Sequence, residues 1–312
     1  MTSTAADNQL SLLRRLWIYQ AERFPLFKTA LLLVVFTAAS ISVSAHLGRR
    51  DLPGVWTFAV AALVALIFFF QMRACDEVKD QEDDRRYRPE RPVPRGLVTL
   101  RLIVGLAFGL VPVAILLSVT LTPWLLVLLF AVWVWLGLMT AEFFVPDWLK
   151  ARPFLYLVSH MLIMPLIDLY VTASEWLPHA VFPPNGLWLF LALSFCNGCV
   201  IEIGRKVWAP ESERDGVETY SRVLGPQRAA LLWLGCAGLA LGWLIAVGFA
   251  VGAPLLIAAI GVAAFAVLAV VVIRFVTAPT PKGQKQIDAL AGLWVLVCYA
   301  AAGYAPLIGG TP

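Results

Sequence analysis

The chain has 312 residues, of which 60% are hydrophobic and only 14% charged, and its mean hydropathy is +0.81. That balance excludes a water-soluble globule and points to a polytopic membrane protein. The net charge of +4 does not mark a nucleic-acid binder, because all but two of the 24 Lys and Arg residues fall in alternate loops between apolar runs.

Nine apolar stretches, near 26–47, 55–72, 102–121, 124–145, 154–172, 187–203, 229–249, 253–275 and 287–308, are each long enough to cross about 30 Å of hydrocarbon as a helix. Only Arg49 and Arg50 fall on the outer side of this pattern. The asymmetry predicts a cytoplasmic amino terminus and a carboxyl terminus across the cell (inner) membrane. The first nine residues are polar, without the apolar core of a cleavable signal. Within residues 1–24, Leu10, Leu13, Leu16 and Trp17 recur at helical spacing beside Arg14 and Arg15, which predicts a helix lying on the inner leaflet.

The second span runs without a break into an acidic stretch, Asp76 to Gly96. Asp76, Asp80 and Asp84 are spaced by four, so a continuing helix stacks three carboxylates on one face. Like charges so placed invite a hard divalent cation such as Mg²⁺, which takes one or two carboxylates and completes its octahedron with waters and substrate phosphates. The same residues also read as a solvated charge run at the end of a membrane helix. Beyond them, Pro89, Pro92 and Pro94 forbid helix and predict a rigid, extended arm carrying Arg88 and Arg91.

Asp76-Glu77-x-x-Asp80-x-x-x-Asp84, followed by Arg88-Pro89-x-Arg91-Pro92-Val93-Pro94-Arg95-Gly96, resembles the first signature of the UbiA superfamily of intramembrane prenyltransferases. That signature is N-D-x-x-D-x-x-x-D with R-P-x-R-P-[LIV]-P-x-G after it; Asp76 stands where the family usually has Asn. The resemblance implies one all-α transmembrane domain over residues 1–312, with two four-helix units plus one helix around a central cavity. It also implies Mg²⁺ as cofactor, and a prenyl diphosphate and a hydrophobic acceptor as partners. The first acidic loop is 73–96 and the second 204–228. Acidic inner loops after spans two and six, and basic ones after four and eight, fit a duplicated unit.

Further along, Lys150 and Arg152 resemble the family's basic element between spans four and five. With Lys79, Arg88 and Arg91 they are expected to hold diphosphate; positive-inside anchoring explains the loop pair equally. His160 and Asp168 lie within the fifth span, where the bland reading is structural, with Asp168 near the outer end and Pro165 freeing backbone groups beside it. Cys196 and Cys199 sit in an apolar helix and read as small packing residues, and neither a disulfide framework nor a zinc site is indicated. After Pro210, a helix would set Glu211 and Asp215 one turn apart. This resembles the second signature, D-x-x-x-D, with Glu in the first place. The metal set expected from both loops is therefore Asp76, Asp80, Asp84, Glu211 and Asp215. Glu142 or Glu202 is placed to take the acceptor's proton.

Two other functions use similar residues. A terpene cyclase of the same superfamily would ionise the same diphosphate and close the cation on its own tail. A divalent-cation transporter would gather carboxylates near the bilayer midplane on broken helices, whereas here they cluster at one rim.

Overall fold

The computed structural model describes residues 10–309, and within them every regular element is a helix. A short amphipathic helix, α1 (Leu12–Arg23), opens on Ser11, whose hydroxyl accepts from the amide of Arg14. Its Leu13 and Trp17 are exposed while Tyr19 is buried, so one face is turned outward and the other is docked. Then come α2 (Leu26–Leu47) and α3 (Val55–Lys79), which leads almost directly into α4 (Gln81–Tyr87).

The third span is two helices, α5 (Leu100–Gly109) and α6 (Val111–Leu121), broken at Leu110 just before Pro112. The fifth, Pro153–His179, contains α9 (Pro153–Met161) and α10 (Ile163–Trp176), broken at Leu162 before Pro165. In both, a proline removes a donor from the turn behind it. Between them lie α7 (Leu125–Thr140) and the short α8 (Pro146–Lys150). The carboxyl-terminal half comprises α11 (Leu187–Arg205), the short α12 (Tyr220–Leu224), α13 (Pro226–Ala250), α14 (Pro254–Thr277) and α15 (Pro281–Gly309).

Eight helical segments among the described residues are long and apolar enough to cross a membrane. The ninth expected span, 124–145, yields only the 16-residue α7, about 24 Å long at 1.5 Å per residue. It stops early because Glu142, Phe143 and Phe144 take successive positive φ values of 46°, 54° and 61°. Three left-handed residues in a row cannot continue a right-handed helix.

The buried apolar side chains form two large clusters. One joins α2, α3, α6, α7 and α10; the other joins α11, α13, α14 and α15, with Ala39 and Val43 of α2. A polar seam lies between them. The Asp168 carboxylate accepts from Ser40 Oγ (2.8 Å) on α2 and Tyr299 Oη (2.5 Å) on α15. Two turns on, Glu175 accepts from Ser44 Oγ (2.7 Å) and pairs with Arg50 at 2.6 Å. Asp168 and Glu175 are both buried and partnered, which satisfies polar groups in apolar surroundings, and Asp168 through Tyr299 ties the halves together.

Candidate active site

Charged residues gather at the end of the bundle opposite Arg50. Asp76 lies on the last turn of α3 and Asp80 caps its end. Asp76 is half-exposed, 3.4 Å from Arg73 and within electrostatic reach of Lys79, Asp80 and Arg205. Asp80 has no ion pair among the described residues.

Asp84, expected as a third ligand on the same face, is instead enclosed by arginines. Arg91 Nη1 donates to both its oxygens at 2.7 and 2.6 Å, Arg88 Nη1 to one at 3.2 Å, and Arg23 Nη2 lies 3.9 Å away. Only 2% of the Asp84 side chain is exposed. The proline arm is therefore not extended. It folds as successive turns, with the amide of Arg95 bonded to Arg91 O and that of Leu97 to Pro92 O, and buries Leu97 and Val98 against Tyr19 and Ala74. Arg88 and Arg91, expected on diphosphate, are thus already occupied by Asp84.

The second acidic segment also departs from a helix. Pro210–Ser212 is a single 3-10 turn, and Glu213 is extended, its carboxylate accepting from Thr219 Oγ1 at 2.7 Å. Glu211 and Asp215 consequently do not share a helical face. Both are exposed; Asp215 pairs with Arg222 at 3.1 Å, and Glu211 has no ion pair among the described residues. The loop is closed by the Tyr220 amide on Lys206 O (3.0 Å). Gly216, with φ +74°, lies flat against Tyr87: a Cβ there would meet the ring at 2.5 Å. This contact seats the second loop on the end of α4 and brings the two acidic segments to one rim.

Just inside that rim, Lys79 is drawn inward. Its ammonium contacts the Tyr156 hydroxyl, lies 3.5 Å from His160 Nε2 and 3.7 Å from Glu142 Oε1. The Tyr156 and His160 rings stack at 3.9 Å. His160 Nδ1 is 2.9 Å from the Tyr156 carbonyl, which fixes a proton on Nδ1 and leaves Nε2 as acceptor toward Lys79. Glu142 is 4% exposed, and Lys150 stands 3.5 Å from its other oxygen, yet neither oxygen receives a hydrogen bond. Glu202, by contrast, is bonded to Lys206 at 2.8 Å, with Arg205 at 3.7 Å. Arg152 is exposed and stacks on the Trp148 ring at 4.3 Å. Burial, followed by the nearby Glu202 carboxylate, holds the Tyr220 hydroxyl above the usual phenol range, so it stays a donor at neutral pH.

Asp76, Asp80, Glu211 and Asp215 are oxygen donors at least partly open to solvent, a set that fits a hard cation such as Mg²⁺. No three acidic, His or Cys side chains among the described residues converge into a cage. A cation held by one or two of these carboxylates and by substrate phosphates needs none. Composition and spacing did not reveal Tyr156, and His160 read as structural. Their helical separation of four beside a basic loop was the available signal.

A model of the UbiA prenyltransferase family matches residues 31–297. The apo structure of a UbiA homolog from Aeropyrum pernix K1 is similar, with a TM-score of 0.64 at 16% identity, covering 86% of this chain and 96% of that one. So is a structure of a digeranylgeranylglyceryl phosphate synthase, with a TM-score of 0.58 at 13% identity, covering 88% and 98%. At such identities the likeness is one of fold. No curated protein matches the sequence. With the family model spanning most of the chain, and its helical architecture shared with both solved structures, the protein belongs to the UbiA prenyltransferase family.

Proposed function

We propose that the protein is a Mg²⁺-dependent prenyltransferase, moving a prenyl group from a prenyl diphosphate to a lipophilic or aromatic acceptor within the membrane. The observation that carries this reading is the seating of Gly216 on Tyr87, which joins two acidic segments at one rim of a largely apolar bundle. A soluble anion needs no membrane. A diphosphate head on an isoprenoid tail accounts for both halves, since each buried methylene contributes about 0.8 kcal/mol.

When bound, Mg²⁺ supplies positive charge to the diphosphate oxygens and eases their departure. Asp76, Asp80, Glu211 and Asp215 are the carboxylates that would hold it, with substrate phosphates completing its coordination. Lys79, Lys150 and Arg152 meet the diphosphate as charge develops on it. Arg88 and Arg91 act through Asp84, keeping the arm folded beneath the rim. As the allylic carbon–oxygen bond breaks, the acceptor bonds to that carbon and loses a proton. Glu142 is the better placed receiver, because its buried oxygens lack hydrogen-bond donors while Glu202 is tied to Lys206. Aromatic faces near Lys79 steady positive charge on the carbon, and apolar walls keep water from it.

Purified protein supplied with radiolabelled geranyl, farnesyl or geranylgeranyl diphosphate and membrane lipid extract is expected to give a prenylated lipid. Asp76→Ala and Asp80→Ala are each expected to lose that activity. Turnover persisting in both variants refutes the metal assignment. Hydrocarbon released without any acceptor identifies a cyclase, and Mg²⁺ flux into liposomes a transporter.

A further inference from the structure

Glu77 occupies the place where the family signature has its first Asp, next to Asp76. Adjacent residues on a helix point about 100° apart, so Asp76 and Glu77 cannot both face the rim. The structure turns Glu77 the other way. It is 2% exposed, and Arg23, the last residue of α1, donates to it through Nε at 2.6 Å. The Arg23 side chain is itself only 12% exposed, and its other end reaches toward Asp84.

Helix α1 is held there from several directions. Glu22 takes both Nη groups of Arg95 at 2.8 Å, Tyr19 is buried beside Ala74, and Phe24 packs edge-on against Phe70 at 5.6 Å. A helix presenting Leu13 and Trp17 outward thus carries a guanidinium into the back of the acidic segment.

We infer that Arg23 is a positioning residue for the metal-binding rim: by neutralising Glu77 behind α3 and backing Asp84, it leaves Asp76 and Asp80 as the carboxylates of that segment that face the substrate. This rests on the proposed metal role of the rim. Without Arg23, Glu77 would be a buried, unpaired carboxylate one residue from Asp76, and the end of α3 would have to move to expose it. Glu77 itself is thereby assigned to the scaffold and not to the metal.

The test is Mn²⁺ binding, followed by electron paramagnetic resonance in the presence of inorganic pyrophosphate, on full-length protein in nanodiscs. Arg23→Gln is expected to raise the Mn²⁺ concentration at half-saturation about tenfold, and Arg23→Lys less than about threefold, the difference expected for losing versus keeping a buried charge pair. Glu77→Gln is expected to stay within about threefold of the parent, and the double variant to resemble Glu77→Gln rather than add to Arg23→Gln. Loss of binding in Glu77→Gln as complete as in Asp80→Asn overturns the inference, as does an unchanged Arg23→Gln. Binding unchanged in Asp80→Asn counts against the metal reading of the rim and not against the brace. If Arg23→Gln does not yield folded protein, the comparison of Glu77→Gln with Asp80→Asn still decides.

Discussion

Glu142 shows how a residue's chemistry can be visible in a sequence while its setting is not. As a carboxylate it was, with Glu202, a candidate to take the acceptor's proton. Nothing in the composition announced that it, Phe143 and Phe144 would all adopt left-handed backbone, a conformation that costs roughly 1–2 kcal/mol per residue. That strain holds a carboxylate under the rim, between Lys79 and Lys150 but without a hydrogen bond. Glu142→Gln keeps the shape and removes the proton acceptor. It is expected to lower kcat by about a hundredfold or more, the usual range for losing a general base, with KM for prenyl diphosphate changed far less. A parallel rise in KM with kcat intact would assign Glu142 to binding through its lysines instead. Asp168 is the opposite case. Its place near the outer end of the fifth span, far from the acidic loops, favoured a structural role, and Ser40 and Tyr299 give it one.

At the scale of elements, the apolar runs were legible because their length is set by the bilayer, and most predicted spans fall on helices. The two acidic loops were legible as composition but not as shape. Pro210 suggested the start of a helix that would stack Glu211 and Asp215, yet the extended Glu213 and its bond to Thr219 convert the segment into a turn. The arm after Arg88 was expected to be extended, and the attraction of Arg88 and Arg91 to Asp84 folds it back. Individual side-chain bonds between near neighbours in the chain decided both shapes, and periodicity carries no information about them. The seam between the loops gives a direct test. Gly216→Ala adds a methyl where the Tyr87 ring already sits, and forces a side chain onto φ +74°. It is expected to raise KM for prenyl diphosphate severalfold, and adding Tyr87→Ala should remove the clash while leaving about 1 kcal/mol of backbone strain. Recovery of KM in the double variant, measured with thermal unfolding of all three proteins, would show that spacing between the loops matters. An unchanged KM in Gly216→Ala would show that the rim does not depend on that seam.

For the whole molecule, charge predicts an orientation, and the fold says where each charge sits. Of the two outer basic residues, Arg50 is neutralised by the buried Glu175, whose hydrogen bonds raise its pKa further. Arg49 is left as the exposed cation at that end, while the opposite end carries Lys79, Lys150, Arg205 and Lys206 with their acidic partners. The halves are also pressed closely together: a Cβ on Gly303 of α15 would come within 2.5 Å of the Ala39 backbone on α2. The positive-inside tendency then predicts that the acidic rim faces the cytoplasm. Asp51 and Glu218 are both exposed and lie at opposite ends. In intact cells, a membrane-impermeant maleimide is expected to label Asp51→Cys and to leave Glu218→Cys unlabelled until the membrane is permeabilised. The parent chain, with its five native cysteines, sets the background. Labelling of Glu218→Cys from outside would invert the topology. It would also turn the proposed diphosphate site away from the cytoplasm, so the reading of orientation from charge would have to be given up.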